Sequence, residues 1–146
     1  MRAQKTPFAA AIFDFSEPNQ PSPEHRDEAL HAFMRHFGPT FASHVRQTDI
    51  ALKYGPHSLA VIMPGTNAKQ AGLMVEKMRK LASAPHPGAQ AAPMMSAGIA
   101  EAVQDGEMDA ADIVTVLINR VESALEQAQA IGGNVTKVLD PPSLPH

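Results

Sequence analysis

The chain has 146 residues, a length typical of one domain with a single core, of which 44% are hydrophobic and 18% charged. A formal net charge of −3 without any basic run argues against a nucleic-acid-binding surface. The apolar stretches are too short to cross a bilayer, and no signal peptide is visible, so we expect no membrane insertion. The absence of cysteine excludes disulfides and thiolate metal sites and fits a reducing cytoplasm, where we expect this domain.

The first part of the chain predicts a buried strand followed by a long helix. Residues Phe8 to Phe15 form a short apolar run that ends in a proline-rich stretch, which is typical of a strand followed by a loop. From about Glu24 the apolar residues follow a helical period. The Gly38-Pro39 pair predicts that this helix is kinked or split in two. The apolar face consists of Leu30, Phe33, Met34, Phe37 and Phe41.

The middle of the chain predicts a hairpin and a second helix. Asp49 to Tyr54 and Ser58 to Met63 are β-rich runs separated by three residues, which is typical of a tight hairpin. A helix is predicted from about Asn67 to Leu81, because apolar residues recur on one side of it. A proline- and alanine-rich loop is predicted to follow over residues 84–93.

The last part of the chain predicts a strand, a helix and a closing strand. Met94 to Ala102 is a strand-like run, and Asp109 is a candidate N-cap for a third helix. Gly132-Gly133 is expected to end that helix, and Val135 to Leu139 to form the last strand. We therefore predict an N-terminal lead over residues 1–7, one domain over 8–139 and a disordered tail over 140–146.

This order of elements predicts the fold class. It is β-α(α)-β-β-α-β-α-β, which indicates an α/β (α+β) domain with a central mixed five-stranded sheet. We expect one hairpin at the centre of the sheet and helices packed on its faces. Many functions occur on such folds, so the architecture alone does not identify one.

Three segments carry a resemblance to a known family. Arg46 to Thr66 reads RQTDIALKYGPHSLAVIMPGT, Ser96 to Ala100 reads SAGIA, and Arg120 to Val135 reads RVESALEQAQAIGGNV. They resemble, in order, the R-x-x-D…R-Y-GGDEF…P-G-T run, the S-x-G-I-A strand and the A-D-x-A-L-Y-x-A-K-x-x-G-R-N segment of the GGDEF (diguanylate cyclase) domain. The resemblance covers roughly residues 8–139 and implies a palm-like fold of the nucleotide-cyclase type.

The signature hairpin departs from the family pattern. GGDEF is replaced here by Gly55, Pro56, His57, Ser58 and Leu59. The resemblance implies that the glycine backbone lets GTP approach and that the acidic residues hold Mg²⁺. Pro56 removes an N–H and adds bulk, and neither His57 nor Ser58 offers the anionic oxygen that Mg²⁺ prefers. Asp14 matches one of the metal-binding acids that the resemblance implies, but Ser16 stands in place of the second acid at that strand end.

The positions that would contact the nucleotide have changed as well. Where the family reads guanine with Asn and Asp, this sequence has Ser22 and His31. Where the family contacts phosphates with Lys and Arg, it has Gln129 and Gly133. The resemblance therefore implies a degenerate, catalytically inactive GGDEF domain that is not an enzyme and needs no cofactor.

One family motif is kept. Arg46 and Asp49 preserve R-x-x-D, which in many relatives forms an allosteric cyclic di-GMP site, and Lys77 stands where a further basic residue, often Arg, completes that site. An Arg fork can bind a phosphate or the Hoogsteen edge of guanine, and a carboxylate can accept a guanine N–H. Lys supplies charge without the fork, so weaker binding is expected.

Two interpretations of this motif remain open from the sequence. Arg46 and Asp49 form either a cyclic di-GMP site or a structural ion pair at the junction of helix and strand. The corresponding functions are a non-catalytic cyclic di-GMP receptor and a nucleotide-independent interaction or dimerisation module. In either case we expect a partner protein, a neighbouring domain or a second copy of the chain.

Overall fold

The computed structural model of the chain describes residues 6–16, 22–84, 93–104 and 109–139. The predicted disordered tail lies outside these ranges, and so does the predicted loop over 84–93 except for its two end residues. All eight predicted elements form, with their ends shifted by a few residues at most. They are β1 (Thr6–Ser16), α1 (Pro23–Ser43), β2 (Ile50–Gly55), β3 (Ser58–Pro64), α2 (Ala68–Ala82), β4 (Met94–Gln104), α3 (Ala110–Ala130) and β5 (Thr136–Leu139).

The five strands form one sheet in the order β2-β3-β1-β4-β5. All neighbouring pairs are antiparallel except β4 and β5, which are parallel, so the predicted mixed sheet is confirmed. The structure corrects one detail, because the β2–β3 hairpin lies at one side of the sheet and not at its centre. The central strand is β1, whose residues from Ala9 to Phe13 are buried, whereas β2 is an exposed edge strand. The apolar run of β1 from Ala9 to Phe13 is buried on both faces, which requires an inner position in the sheet.

The sheet is covered by helices on both faces. Helices α1 and α2 pack on one face, where the phenylalanine side chains of β1 and α1 form the centre of the larger core cluster. The rings of Phe13 and Phe41 lie 5.6 Å apart in an edge-to-face arrangement. Helix α3 covers the other face and packs on a smaller cluster through Leu117 and Val121. Burial of these two apolar faces is the main force that holds the layers together.

Helix α1 is longer than the sequence predicts. Ser22 is its N-cap, and the Ser22 hydroxyl accepts a hydrogen bond from the His25 backbone N–H at 3.2 Å. The expected split at Gly38-Pro39 is wrong, because the helix runs through Pro39 to Ser43. Proline removes one backbone N–H near the C-terminal end, while Phe37 and Phe41 on either side stay buried and keep both turns on the core.

The start of helix α2 is fixed by two sets of hydrogen bonds. Asn67 and Gln70 form a capping box, in which each side chain accepts from the other residue's backbone N–H at 2.8 and 2.9 Å. The Glu101 carboxylate of β4 accepts from the Ala68 backbone N–H at 2.5 Å. An acid at a helix N-terminus is favourable because it meets the positive end of the helix dipole. These bonds hold α2, and therefore Lys77, at a defined position beside the sheet.

Helix α3 begins where the sequence predicts. Asp109 occupies the N-cap position, although its side chain makes no capping hydrogen bond. At the other end, the chain turns through Gly132, Gly133 and Asn134, which all have positive φ. Asn134 then accepts from the Met95 backbone N–H at 3.1 Å, which fixes the turn to the start of β4. None of the helices in the described ranges combines the length and hydropathy needed to span a membrane.

The single tyrosine of the chain offers a test of the packing between β2 and α3. Tyr54 donates a hydrogen bond to the Glu122 carboxylate, which together with burial and the carboxylate charge raises the pKa of Tyr54 from 10.0 to about 12. Since the unfolded chain ionises at the lower value, this contribution to stability is complete below pH 10 and is lost as the pH rises towards about 12. We expect an ultraviolet difference titration to show one transition near pH 12, and Glu122→Gln to move it towards 10. A wild-type transition at the ordinary tyrosine pKa would contradict this contact.

Candidate functional site

The three residues predicted as a ligand site come together in the structure. Arg46 and Asp49 lie in the connection between α1 and β2, and Lys77 projects from α2. All three line one surface pocket with a volume of about 340 Å³. The connection after β3 contributes Thr66, and α2 contributes Gln70 to the same pocket. Residues far apart in the sequence therefore form one cavity that carries two cationic side chains.

Arg46 is held in place by several hydrogen bonds. Its Nε donates to both carboxylate oxygens of Asp49 at 3.1 Å, and its Nη2 donates to Asp49 Oδ1 at 2.7 Å. Nη2 also donates to the Pro64 carbonyl at 3.1 Å and to the Thr66 hydroxyl at 2.7 Å. The Arg46 backbone N–H donates to Asp49 Oδ2 at 3.0 Å. The guanidinium thus links the start of β2 to the end of β3.

The structural interpretation of R-x-x-D is confirmed as far as the ion pair is concerned. The hydrogen bond with Asp49 raises the pKa of Arg46 further above its ordinary value, although burial opposes this, so the guanidinium stays cationic. The Asp49 side chain is only 4% exposed, whereas the Arg46 side chain is 53% exposed. The Asp49 carboxylate is therefore buried against Arg46, whereas about half of the Arg46 side chain remains accessible to a ligand.

Sequence reasoning missed two partners of Arg46. Thr66 belongs to the P-G-T end of the first family-like segment, and its side chain is buried against Arg46. The Pro64 carbonyl is a backbone group, so no side-chain pattern could have indicated it. The proximity of Thr66 to R-x-x-D results from the pairing of β2 with β3.

The signature hairpin lies at a different place, beside the end of β1. Gly55 ends β2, Pro56 and His57 form the turn, and Ser58 and Leu59 begin β3. The Phe15 backbone N–H donates to the His57 carbonyl at 3.0 Å, which fixes the turn against β1.

The carboxylate of Asp14 at this hairpin is occupied by neutral donors. The Ser58 hydroxyl donates to Asp14 Oδ1 at 2.7 Å, and the Gln129 amide donates to Asp14 Oδ2 at 2.9 Å. By the resemblance described above, Ser58 and Gln129 correspond to an acid and a lysine of the family pattern. Both oxygens of the carboxylate therefore have hydrogen-bond partners within the protein.

These residues do not fit the magnesium site that the family implies. Mg²⁺ requires near-octahedral oxygen coordination, usually with one or two carboxylates and bound phosphates. On the positions that the resemblance implies, Asp14 is an acid, whereas Ser16, His57 and Ser58 are not. Within the described ranges, no three His, Asp or Glu side chains converge as ligands of a metal ion.

The other positions singled out from the sequence have local structural roles or lie apart. Ser22 is engaged as the N-cap of α1, and its hydroxyl lies 2.6 Å from His25 Nδ1. Gly133 has a φ of 75°, a conformation that favours glycine. His31 lines a second pocket between α1 and the hairpin.

The strand order and the position of the hairpin define the class to which this domain belongs. A mixed five-stranded sheet with flanking helices is the architecture of known GGDEF domain structures. The profile of the family described as "Diguanylate cyclase, GGDEF domain" matches residues 27–135, so the chain belongs to the GGDEF family.

Solved structures with this fold come from several bacteria. The active GGEEF domain of a diguanylate cyclase from Vibrio cholerae is 18% identical with a TM-score of 0.71, covering 91% of this chain and 83% of that one. The GGDEF domain of YfiN (TpbB) from Pseudomonas aeruginosa is 14% identical with a TM-score of 0.72, covering 96% and 84%. The coiled coil and GGDEF domain of DgcB from Caulobacter crescentus, in complex with c-di-GMP, is 17% identical with a TM-score of 0.69, covering 92% and 70%. No curated protein matches the sequence significantly.

Proposed function

We propose that this chain is a catalytically inactive GGDEF domain of the bacterial cytoplasm that acts as a receptor for cyclic di-GMP. The observation that carries the receptor function is the convergence of Arg46, Asp49 and Lys77 on one pocket. Cyclic di-GMP presents two phosphates and two guanines, and cationic side chains are suitable partners for both. The complex of DgcB with c-di-GMP adds support, because that protein has the same fold.

The residues of the hairpin and of its neighbour Asp14 support catalytic inactivity. Phosphoryl transfer depends on metal ions and cations that stabilise charge in the transition state. Asp14 is engaged by Ser58 and Gln129, and the turn residues Pro56 and His57 carry no carboxylate. No catalytic step through a metal ion can be assigned to this arrangement.

The first expected result is that the purified domain makes no cyclic di-GMP from GTP with Mg²⁺ or Mn²⁺. The measurement is chromatography of the products beside a no-enzyme control and an active cyclase. Restoring Gly, Asp, Glu and Phe at positions 56–59 should not rescue turnover, because Ser22, His31, Gln129 and Gly133 remain and catalytic groups act as a unit. Product formed by the wild-type chain would refute inactivity, and product formed only by the fourfold variant would show that the hairpin alone prevents catalysis.

The second expected result is that cyclic di-GMP binds in the micromolar range and that Arg46→Ala abolishes binding. Each charge-assisted hydrogen bond that is lost weakens binding by about 1.5–3 kcal/mol, or one to two decades. Asp49 already occupies one edge of the Arg46 guanidinium, and Lys77 supplies a point charge in place of a fork, so nanomolar affinity is not expected. Lys77→Arg should tighten binding, and higher salt should weaken it, because the ligand is a dianion. The measurement is isothermal titration calorimetry.

Lys69→Ala is a matched control for this titration. Lys69 is an exposed cation on α2 that does not line the pocket, so its removal should leave the affinity unchanged. Arg46→Ala leaves the buried Asp49 carboxylate without its cation, so the circular dichroism spectrum of this variant must match that of the wild type before the titration. Absence of heat at near-millimolar ligand would eliminate the receptor function. Retained binding by Arg46→Ala would place the ligand elsewhere.

A nucleotide-independent interaction or dimerisation module is the second candidate function. Ile50, Leu52 and Tyr54 alternate along the edge strand β2, and each is at least 39% exposed. An edge strand with exposed apolar side chains is suited to pairing with another chain, whether a partner protein, a neighbouring domain or a second copy. The calorimetric titration separates the two functions, because this second one requires no response to cyclic di-GMP.

A further inference from the structure

The edge strand β2 presents three large apolar side chains on one face of the sheet. These are Ile50, Leu52 and Tyr54, which we call the β2 strip, and all three are exposed. Across the pairing with β3, Ile50 lies opposite Ile62, which belongs to the smaller core cluster under α3. Directly opposed side chains share one face of a sheet, so the β2 strip lies on the α3 face.

Helix α3 stops short of covering the β2 strip. Leu117 and Val121 face the smaller core cluster, and Ile118 is only partly buried against it. Ile118 and Glu122 are four residues apart and therefore lie on one flank of the helix. This flank is the one turned towards β2, because the Glu122 carboxylate accepts a hydrogen bond from the Tyr54 hydroxyl. The β2 strip thus continues the core sideways, past the helix, into solvent.

The backbone of β2 is open on one side as well. In the described part of the chain, β2 pairs with β3 alone and ends the sheet. Edge strands are commonly protected from further pairing by charged side chains, proline or a short length. Lys53 is the one charged residue between Ile50 and Gly55, and it lies opposite Leu59, on the α1 side of the sheet. The α3 side of this edge is therefore apolar and open to another strand.

We propose that the β2 strip binds a second copy of this chain, by antiparallel pairing of the two β2 strands about a two-fold axis at Leu52. Leu52 then lies opposite Leu52 of the second copy, and Ile50 lies opposite its Tyr54, so six apolar side chains meet on one face. A two-fold interface must be self-complementary, and the alternation of apolar residues on either side of Leu52 meets that requirement. The second copy is then the partner of the interaction module considered above, so the pairing rests on that function.

The position of Lys53 favours this register over its neighbours. With the axis at Leu52, Lys53 lies opposite Ala51 of the second copy, and the two lysines are offset diagonally. An axis at Lys53 would place the two lysines directly opposite each other, which is unfavourable. An axis at Ala51 would place Tyr54 opposite Thr48, which precedes the strand. The axis at Leu52 alone pairs all three apolar side chains and keeps the charges apart.

The small size of this contact sets its strength. Each copy contributes a strand of 6 residues with three large apolar side chains. Contacts of this size belong to the interfaces below about 1,200 Å² of total buried area, which are weak and transient. We therefore expect a reversible dimer with a dissociation constant between about 10 μM and 1 mM.

The experiment is sedimentation velocity of the full chain without nucleotide, from about 10 μM to 1 mM. We expect the wild type to pass from monomer to dimer over this range. Leu52→Glu and Leu52→Lys should each stay monomeric, because each places two like charges directly opposite at the axis. An equimolar mixture of the two variants should dimerise at least about tenfold more tightly than either variant alone, because opposite charges then meet.

Val116→Glu is the matched control for the substitutions at Leu52. Val116 is 47% exposed and Leu52 41%, so both substitutions add a charge at a similarly accessible apolar position. Val116 lies on the flank of α3 turned away from β2, where Arg120, one turn further, donates to the Glu101 carbonyl of β4. This control should dimerise as the wild type does. The circular dichroism spectrum of every variant must match that of the wild type.

Ala51 tests the register without any change to the apolar side chains. Ala51→Glu places a carboxylate opposite Lys53 of the second copy, twice in each dimer. It should tighten the dimer about threefold to tenfold, and Ala51→Lys should weaken it by a similar factor. Equal dissociation constants for these two variants would exclude the register centred on Leu52.

Two further results would overturn the proposal. A wild type that stays monomeric at about 1 mM would exclude the second copy as the partner of the β2 strip. A wild-type dimer that Leu52→Glu does not weaken would exclude β2 as the contact, while the dimerisation function itself would stand. Neither result depends on cyclic di-GMP, so the receptor function is tested separately by its own titration.

Discussion

Truncation of Phe33 to alanine is expected to lower the free energy of unfolding by about 3–5 kcal/mol. The Phe33 side chain is 2% exposed, and its ring stacks on Phe37 at a centroid distance of 5.2 Å. The ring of Phe15 from the central strand lies 4.9 Å away, so Phe33 joins α1 to the sheet. The variant therefore removes buried area and several aromatic contacts and leaves a cavity in the larger core cluster. The measurement is chemical denaturation followed by circular dichroism.

Leu73→Ala is the matched control for this truncation. Leu73 is also a large apolar residue on a helix, but it is 69% exposed, so we expect a change within about 0.5 kcal/mol. If the denaturation midpoint of Phe33→Ala equals that of the wild type, the arrangement of α1 on the sheet is wrong. A similar loss in both variants would indicate that the effect does not come from burial.

The second large effect is expected for Gly98→Ala, which should destabilise the domain by about 3 kcal/mol, the upper end of the usual cost of overpacking. Strand β4 passes so close to α3 that a Cβ at Gly98 would lie 2.5 Å from the Leu125 nitrogen and 2.6 Å from the Val121 carbonyl oxygen. Both are backbone atoms of a helix, so neither can move aside as a flexible side chain would. The helix must shift away from the sheet, and its contacts with the smaller core cluster are weakened. Thermal and chemical denaturation both measure this loss.

Gly72→Ala provides the comparison for Gly98→Ala. Gly72 lies inside α2 with no atom within 4 Å of an added Cβ, so alanine there should stabilise the domain by about 0.5–1 kcal/mol. The two variants make the same chemical change and are expected to differ in sign. A neutral Gly98→Ala would mean that β4 and α3 are not in close contact.

The order of the elements was readable from the sequence because local signals agree with the fold. Apolar periodicity marks α1 and α2, and paired glycines mark the end of α3. Pro39 shows the limit of such signals. Its local preference predicts a break in α1, but the buried rings of Phe37 and Phe41 on either side keep the helix on the core. Tertiary packing outweighs the loss of one hydrogen bond.

The candidate site was predictable in composition but not in geometry. The R-x-x-D motif indicates Arg46 and Asp49, and spacing along the chain indicates Lys77. That Thr66 and the Pro64 carbonyl hold the same guanidinium depends on the pairing of β2 with β3, which no local pattern contains. Likewise, the hydrogen bonds of Asp14 with Ser58 and Gln129 join residues from β1, β3 and α3.

The sequence by itself determined the family and the eight elements, because these are properties of residue type and spacing. Only the tertiary structure decided that the hairpin lies at the edge of the sheet, since strand order depends on which strand can be buried on both faces. Only the tertiary structure also separated two pockets on the α1–α2 side of the sheet, one around Arg46 and one around Lys53. Their walls come from elements that are distant in sequence, and such contacts are set by packing across the whole domain.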